Sequence, residues 1–160
     1  MKKSMSNKAP FKNRTAGRLA SIQALFQIEQ SGNPPSSVVL EFLTHRLKDA
    51  ESGVSKFDSA FFTKLVEGAW EEHEKSDEMI KEALKSGWVL ERIEPVTRAI
   101  LRASLYELSM THTPSAVILD EYINITRVFF NDTEVSFVNG ILNTLAKRVR
   151  PSADSLKTST

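Results

Sequence analysis

Apolar residues recur at helical spacing along most of the chain, and polar breaks divide them into seven segments. Leu19, Ile22 and Phe26 fall at i, i+3 and i+7 with Leu25 alongside, which predicts a helix from about Thr15. The run Ser31-Gly32-Asn33-Pro34-Pro35 stops it. A second helix is expected over 36–50, with Val39, Phe42, Leu43 and Leu47 on one face, and Glu51-Ser52-Gly53 breaks it. A third starts at Asp58, a good cap, and carries Phe61, Phe62, Leu65, Val66, Ala69 and Trp70. Ser76 or Asp77 opens a short fourth with Met79, Ile80, Ala83 and Leu84, ending near Ser86-Gly87. Trp88-Val89-Leu90 is expected to return apolar surface to the core before Pro95 opens the fifth helix.

The fifth helix, about 95–110, presents Ile100, Leu101, Leu105 and Leu108. Thr111-His112-Thr113-Pro114 then sets Pro114 as a first helical residue with Thr113 as its cap. The sixth, 114–129, places Ile118, Tyr122, Ile125 and Phe129 at i, i+4, i+7 and i+11. Asn131-Asp132-Thr133-Glu134 offers Asp132 or Thr133 to cap the seventh, with Ser136 competing. That helix has the stripe Phe137, Val138, Ile141, Leu142, Leu145, Ala146 and Val149, and Pro151 ends it. Two tight connections between amphipathic helices imply antiparallel neighbours in a bundle. No segment sustains a period-2 alternation bounded by hairpin turns, so the fold class is all-α.

Composition narrows the setting. A chain of 160 residues, 41% hydrophobic and 26% charged, is ordinary for one globular domain with a real core. With no cysteine there are no disulfides or thiolate metal sites. No window approaches 18 consecutive apolar residues and no apolar stretch follows the N-terminal lysines, so neither a membrane span nor a secretory signal is expected. A cytoplasmic location follows. The formal net charge of +1 conceals an asymmetry. Lys2, Lys3, Lys8, Lys12, Arg14 and Arg18 give the first 20 residues a local +6 with no acid. Residues 29–94 hold fourteen acids against eight bases, a local −6. A basic end on an acidic body suggests two contact surfaces, one of them preferring phosphate. Residues 1–13, poor in apolar side chains, are expected to form a flexible basic arm, and 152–160 a loose tail.

Catalytic chemistry finds little support. His45, His73 and His112 lie far apart, and neither HExxH, GxxxxGK[ST], GxGxxG nor GxSxG occurs. The pairs Glu71-Glu72 and Asp120-Glu121 point about 100° apart on a helix, which suits a shared acid–base site poorly. No enzyme, metal or cofactor is expected. The basic helix is the better lead. Arg14 and Arg18, four apart, project from one side of it, and a polyanion would relieve their repulsion. Phe129, Phe130 and Phe137 flank the Asn131–Ser136 loop and serve either as stacking platforms for bases or as core.

These residues also carry a resemblance. Arg18-Leu-Ala-Ser-Ile-Gln-Ala-Leu-Phe26, Trp88-Val-Leu-Glu-Arg-Ile93, Ile100-Leu-Arg-Ala-Ser-Leu-Tyr-Glu-Leu108 and Phe137-Val-Asn-Gly-Ile-Leu142 resemble, in order, blocks of the NusB family of transcription antitermination factors. Pro114, Val117, Asp120 and Glu121 fit a further segment that the family writes P-x-x-V-x-I-[ND]-E. The likeness runs from about Arg14 to Pro151. It implies one domain over 14–151 in two small helical subdomains, three helices over about 14–75 and four over about 76–151. It also implies binding of the boxA element of nascent ribosomal RNA together with the ribosomal protein NusE. That pair would join NusA, NusG and RNA polymerase to suppress premature termination.

By the same resemblance, Arg14 and Arg18 stand for an arginine-rich RNA contact that Lys8 and Lys12 extend. Phe129 and Phe137 match aromatic positions close to the RNA path, and Phe26, Glu91 and Arg92 match a face that meets the ribosomal protein. Leu101, Leu105, Tyr106, Leu108 and Leu142 match packing positions, and Arg102 with Glu107 is expected to form a buried or half-buried polar pair. The chain departs from the family pattern in its thinner arginine run, in Phe130 where a glycine is familiar, and in Glu134 where a serine is usual. A carboxylate at Glu134 is expected to weaken RNA binding. Two alternatives accompany this reading. One is an accessory module for ribosomal RNA modification, disfavoured because no cofactor-binding domain follows. The other is a protein–protein adaptor or homodimer that binds no RNA.

Overall fold

The structure, a computed structural model, describes residues 2–51 and 57–151, with side chains at 13–45 and 57–151. The described residues form seven α-helices and one 3-10 turn, with no strand. They fall into two compact units that divide between Trp70 and Glu71. This lies a few residues before the boundary expected near 75.

The first unit contains α1 (Lys2–Ser31), α2 (Pro35–Glu51) and α3 (Ser59–Glu71). Helical backbone begins at Lys2, earlier than the start expected at about Thr15. Lysine, alanine and methionine in that stretch are good helix formers. A scarcity of apolar residues removes packing but leaves this propensity intact. At the other end Gly32, with φ of +75°, donates to the Ile28 carbonyl and closes α1 with the left-handed cap that glycine permits. Ile22, Leu25, Ile28, Val38, Val39, Leu65 and Val66 are buried around Phe62, whose ring lies 5.2 Å from Phe57 and 5.7 Å from Phe42. Asp58 caps α3 as expected, its Oδ1 accepting the Phe61 N–H at 3.0 Å.

The second unit holds α4 (His73–Ala83), the 3-10 turn η1 (Leu90–Arg92), α5 (Pro95–Met110), α6 (Ser115–Phe129) and α7 (Asp132–Val149). Helix α5 is its centre. Every residue from Ala99 to Leu108 is buried, and α4, α6 and α7 all pack on it. A helix enclosed on all sides must satisfy its polar residues internally. Arg102 meets Asp77 of α4 through two bonds of 2.9 and 2.8 Å, and Tyr122 of α6 donates its hydroxyl to Glu107. The Arg102 and Glu107 expected to pair with each other are thus each engaged from a different neighbouring helix.

Arg150, just past α7, closes the other end of this unit. Its guanidinium donates to the carbonyls of Leu108 at 2.9 Å, Thr111 at 3.0 Å, Thr113 at 2.7 Å and Glu107 at 3.3 Å, and to the Ser115 hydroxyl at 3.2 Å. Those of Glu107 and Leu108 belong to the last turn of α5, where carbonyls run out of intrahelical partners. The caps differ from expectation by one residue or a few. Pro114 precedes α6 and its carbonyl accepts from Ile118, Asn131 precedes α7, and α4 opens at His73 with Ser76 buried inside it.

Candidate nucleic-acid interface

In the first unit two arginines meet at one ring. The guanidinium carbons of Arg14 and Arg18 lie 5.4 and 5.0 Å from the centroid of Phe61. Both cations lie close to this one ring, each attracted by its quadrupole. Asp58 adds a carboxylate 3.8 Å from Arg14 Nε, and its backbone N–H donates to the Asn13 carbonyl, tying the start of α3 to α1. Gly17 makes this approach possible, because a Cβ there would stand 3.2 Å from Phe61 Cδ2. The repulsion between Arg14 and Arg18 is therefore already relieved within this unit, without a polyanion.

The two arginines differ in access. Arg14 keeps 53% of its side-chain surface in solvent, so a phosphate can reach it. Arg18 is 3% exposed, so it offers far less surface to phosphate than Arg14 does. The side chains of Lys8 and Lys12 lie outside the described residues. Phe26, with 36% of its surface in solvent, is available to a partner.

In the second unit Phe129 and Phe130 are both half-buried, their ring centroids 6.3 Å apart. Phe137, in the first turns of α7, is half-buried against Trp88, with centroids 5.2 Å apart and planes inclined by 39°. Of Trp88-Val89-Leu90, only Leu90 enters the core, while Trp88 and Val89 are 49% and 47% exposed. The apolar return expected of this tripeptide is thus corrected: the chain enters a 3-10 turn at Leu90, which aims that one residue inward. Glu91 and Arg92 lie exposed on this turn. Arg98 holds it in place by donating to the carbonyls of Leu90 and Ile93.

Glu134 has a structural engagement of its own. Its carboxylate accepts a hydrogen bond from the buried Thr97 hydroxyl on α5, while it stands in the first turn of α7 where negative charge is favoured. Two grooves flank the start of α7 and share Ser136. One is aromatic, beside Trp88 and Phe137, and the other is polar, with Arg127, Asn139, Asn143 and Asp120. Among the described residues no group of three or more His, Asp or Glu side chains is arranged to hold a metal ion, and no helix is long and apolar enough to cross a membrane.

The NusB family profile matches residues 15–147. The chain belongs to the NusB family. A relative from Allorhizobium ampelinum, a transcription antitermination protein NusB, is 40% identical over 154 residues, covering 92% of this chain and 96% of its own. The protein of the same description from Gluconobacter oxydans is 36% identical over 142 residues, covering 86% and 88%. The structure of T. maritima NusB superposes with a TM-score of 0.71 at 30% identity, over 84% of this chain and 90% of that one. A crystal structure of the antitermination factors NusB and NusE in complex with dsRNA shares the fold, with a TM-score of 0.71 at 21% identity over 86% of this chain and 98% of that one.

Sequence reasoning found Arg14, Phe26, Glu91, Arg92, Phe129 and Phe137 on or near the surface of their own units. It missed Phe61 and Asp58 as partners of the arginines, because nothing in the local pattern of α3 announces a cation above it. It also missed Trp88 as a surface residue, because an apolar tripeptide reads as core.

Proposed function

We infer that this chain is a transcription antitermination factor that binds boxA RNA together with the ribosomal protein NusE. The observation that carries the reading is the match to antitermination proteins at 40% identity over nearly the whole chain. The solved assembly of NusB and NusE with double-stranded RNA supports the choice of both partners. Arg14, held half in solvent over Phe61, contacts the phosphate backbone, with Lys8 and Lys12 extending the contact. Arg18, buried against the same ring, holds it in place. Phe129 and Phe137 stand beside the RNA, while Phe26, Glu91 and Arg92 meet NusE. The pair acts in the cytoplasm with NusA, NusG and RNA polymerase, chiefly on ribosomal RNA operons, and works by binding rather than by catalysis.

The test is a titration of labelled boxA RNA with the chain, with and without NusE. RNA affinity falls linearly with salt on a double-logarithmic plot, and NusE tightens it through a reciprocal coupling. An RNA affinity that NusE leaves unchanged, or that ignores salt, overturns the reading.

A further inference from the structure

Trp88 keeps 49% of its surface in solvent, a large outlay of apolar surface for a residue that is highly buried on average. Beyond the Trp88–Phe137 pair opens a cleft of 280 Å³, lined by Leu84 and Lys85 past the end of α4 and by Ser136, Phe137 and Gly140 on α7. Gly140 sits in the interior of α7, where glycine is among the poorest helix formers. Its backbone is not left-handed, and a Cβ built on it would meet nothing within 4 Å. Neither a turn nor close packing in this chain calls for a glycine there. What a side chain at this position would occupy is the cleft.

We propose that this cleft takes one unpaired RNA base, stacked on Trp88, with its phosphate toward Lys85. This rests on the function proposed above and names a base site for it. The charge of the cleft suits a nucleotide, since its lining includes one lysine and no carboxylate. Every base offers a π-face to an aromatic platform, and RNA readers stack bases splayed out of single strands in this way. The hydroxyls of Ser136 and Thr144 also line the cleft, and each can donate to or accept from a base edge. The polar groove on the other side of Ser136 has no aromatic face, and Asp120 in its lining opposes phosphate.

The test uses the full chain and a single-stranded boxA RNA, alone and with NusE. Trp88→Ala lowers RNA affinity by roughly tenfold or more, and Trp88→Phe keeps most of it. Gly140→Leu fills the cleft with a better helix former, so its melting temperature holds or rises while its RNA affinity falls as in Trp88→Ala. RNA quenches part of the indole fluorescence of the parent chain, and Trp88→Phe loses that quenching. If Arg14→Ala weakens RNA binding but Trp88→Ala and Gly140→Leu bind like the parent, the cleft is not a base site and the functional reading stands. If the cleft variants weaken NusE binding and spare RNA, a protein side chain occupies the cleft and the proposal fails. If the parent chain binds no boxA RNA even with NusE, the functional reading fails and the base site with it.

Discussion

Arginines in the two units end on different kinds of partner. In the second unit Arg102 and Arg150 end on oxygen: a carboxylate bound through two donors, and four carbonyls with a hydroxyl. In the first, Arg14 lies against Phe61 with only a long, solvated contact to the Asp58 carboxylate, and Arg18 is buried against the same ring. Directional bonds to oxygen fix a guanidinium and spend its donors on the fold. Attraction to a ring face is less directional and leaves the edge donors of a solvated arginine available to phosphate. The same residue type therefore holds the second unit together and, at Arg14, leaves half of its side chain in solvent in the first.

The sharpest way to break this contrast is at Arg102. Its ion pair with Asp77 is nearly dry, with 7% and 15% of the side-chain surfaces exposed. Arg102→Ala leaves a buried carboxylate uncompensated and should cost about 3–5 kcal/mol in urea unfolding. Replacing both partners, Arg102→Met with Asp77→Leu, should recover most of that loss, because two apolar side chains leave no buried charge behind. If the double replacement is as unstable as the single, the pair contributes more than mutual neutralisation.

Arg150 should come next. Removing it strips acceptor partners from the last turn of α5, and Arg150→Ala should cost about 2–3 kcal/mol by the same measurement, the scale of hydrogen bonds to a charged group. Arg150→Lys should restore little, since an ammonium is a point charge that cannot span this fan of acceptors. A lysine variant as stable as the parent would show that the positive charge alone suffices.

How much of this was legible in the chain differs with the reach of each interaction. The seven helices could be read because the period of apolar residues is local, and Asp58 could be read as a cap for the same reason. Arg150 could not be assigned its task. A basic residue before Pro151 suggests the end of its own helix, whereas its guanidinium serves the end of α5. The burial of Arg18 depends on Phe61 arriving from α3 and on Gly17 making room. Trp88 failed differently: Leu90 beside it did enter the core, but the 3-10 turn sends neighbours in different directions, and a hydrophobic run does not record that.

Tyr106 shows a smaller electrostatic effect within the second unit. Burial pushes its phenol above the ordinary value of 10.0, and the carboxylates of Glu71, Glu72 and Glu107 push it the same way. The folded state thus favours the neutral phenol. Below pH 10 both states hold that proton and the shift has no effect on stability. Above it the unfolded chain ionises first, so stability falls as pH rises toward the folded value. Tyr106→Phe should lose stability less steeply above pH 10 than the parent. Equal slopes in urea midpoints between pH 9 and 11 would mean that the folded phenol ionises as freely as the unfolded one.

The smallest effect on stability, and the most telling for the comparison, is expected at Arg14. Its contact with Asp58 is long and solvated, so Arg14→Ala should change the unfolding free energy by at most about 0.5–1 kcal/mol. The same change should lower the salt slope of boxA binding by about one, the share of a single phosphate contact. Phe61→Leu separates reach from charge. It keeps both arginines but removes the face they lie on, so the charge remains while its placement loosens. Weaker RNA binding at an unchanged salt slope is then expected, because the number of phosphates neutralised is the same and only the ordering of Arg14 is lost. A slope that falls in Phe61→Leu as it does in Arg14→Ala would mean that the ring decides whether Arg14 reaches the phosphate at all.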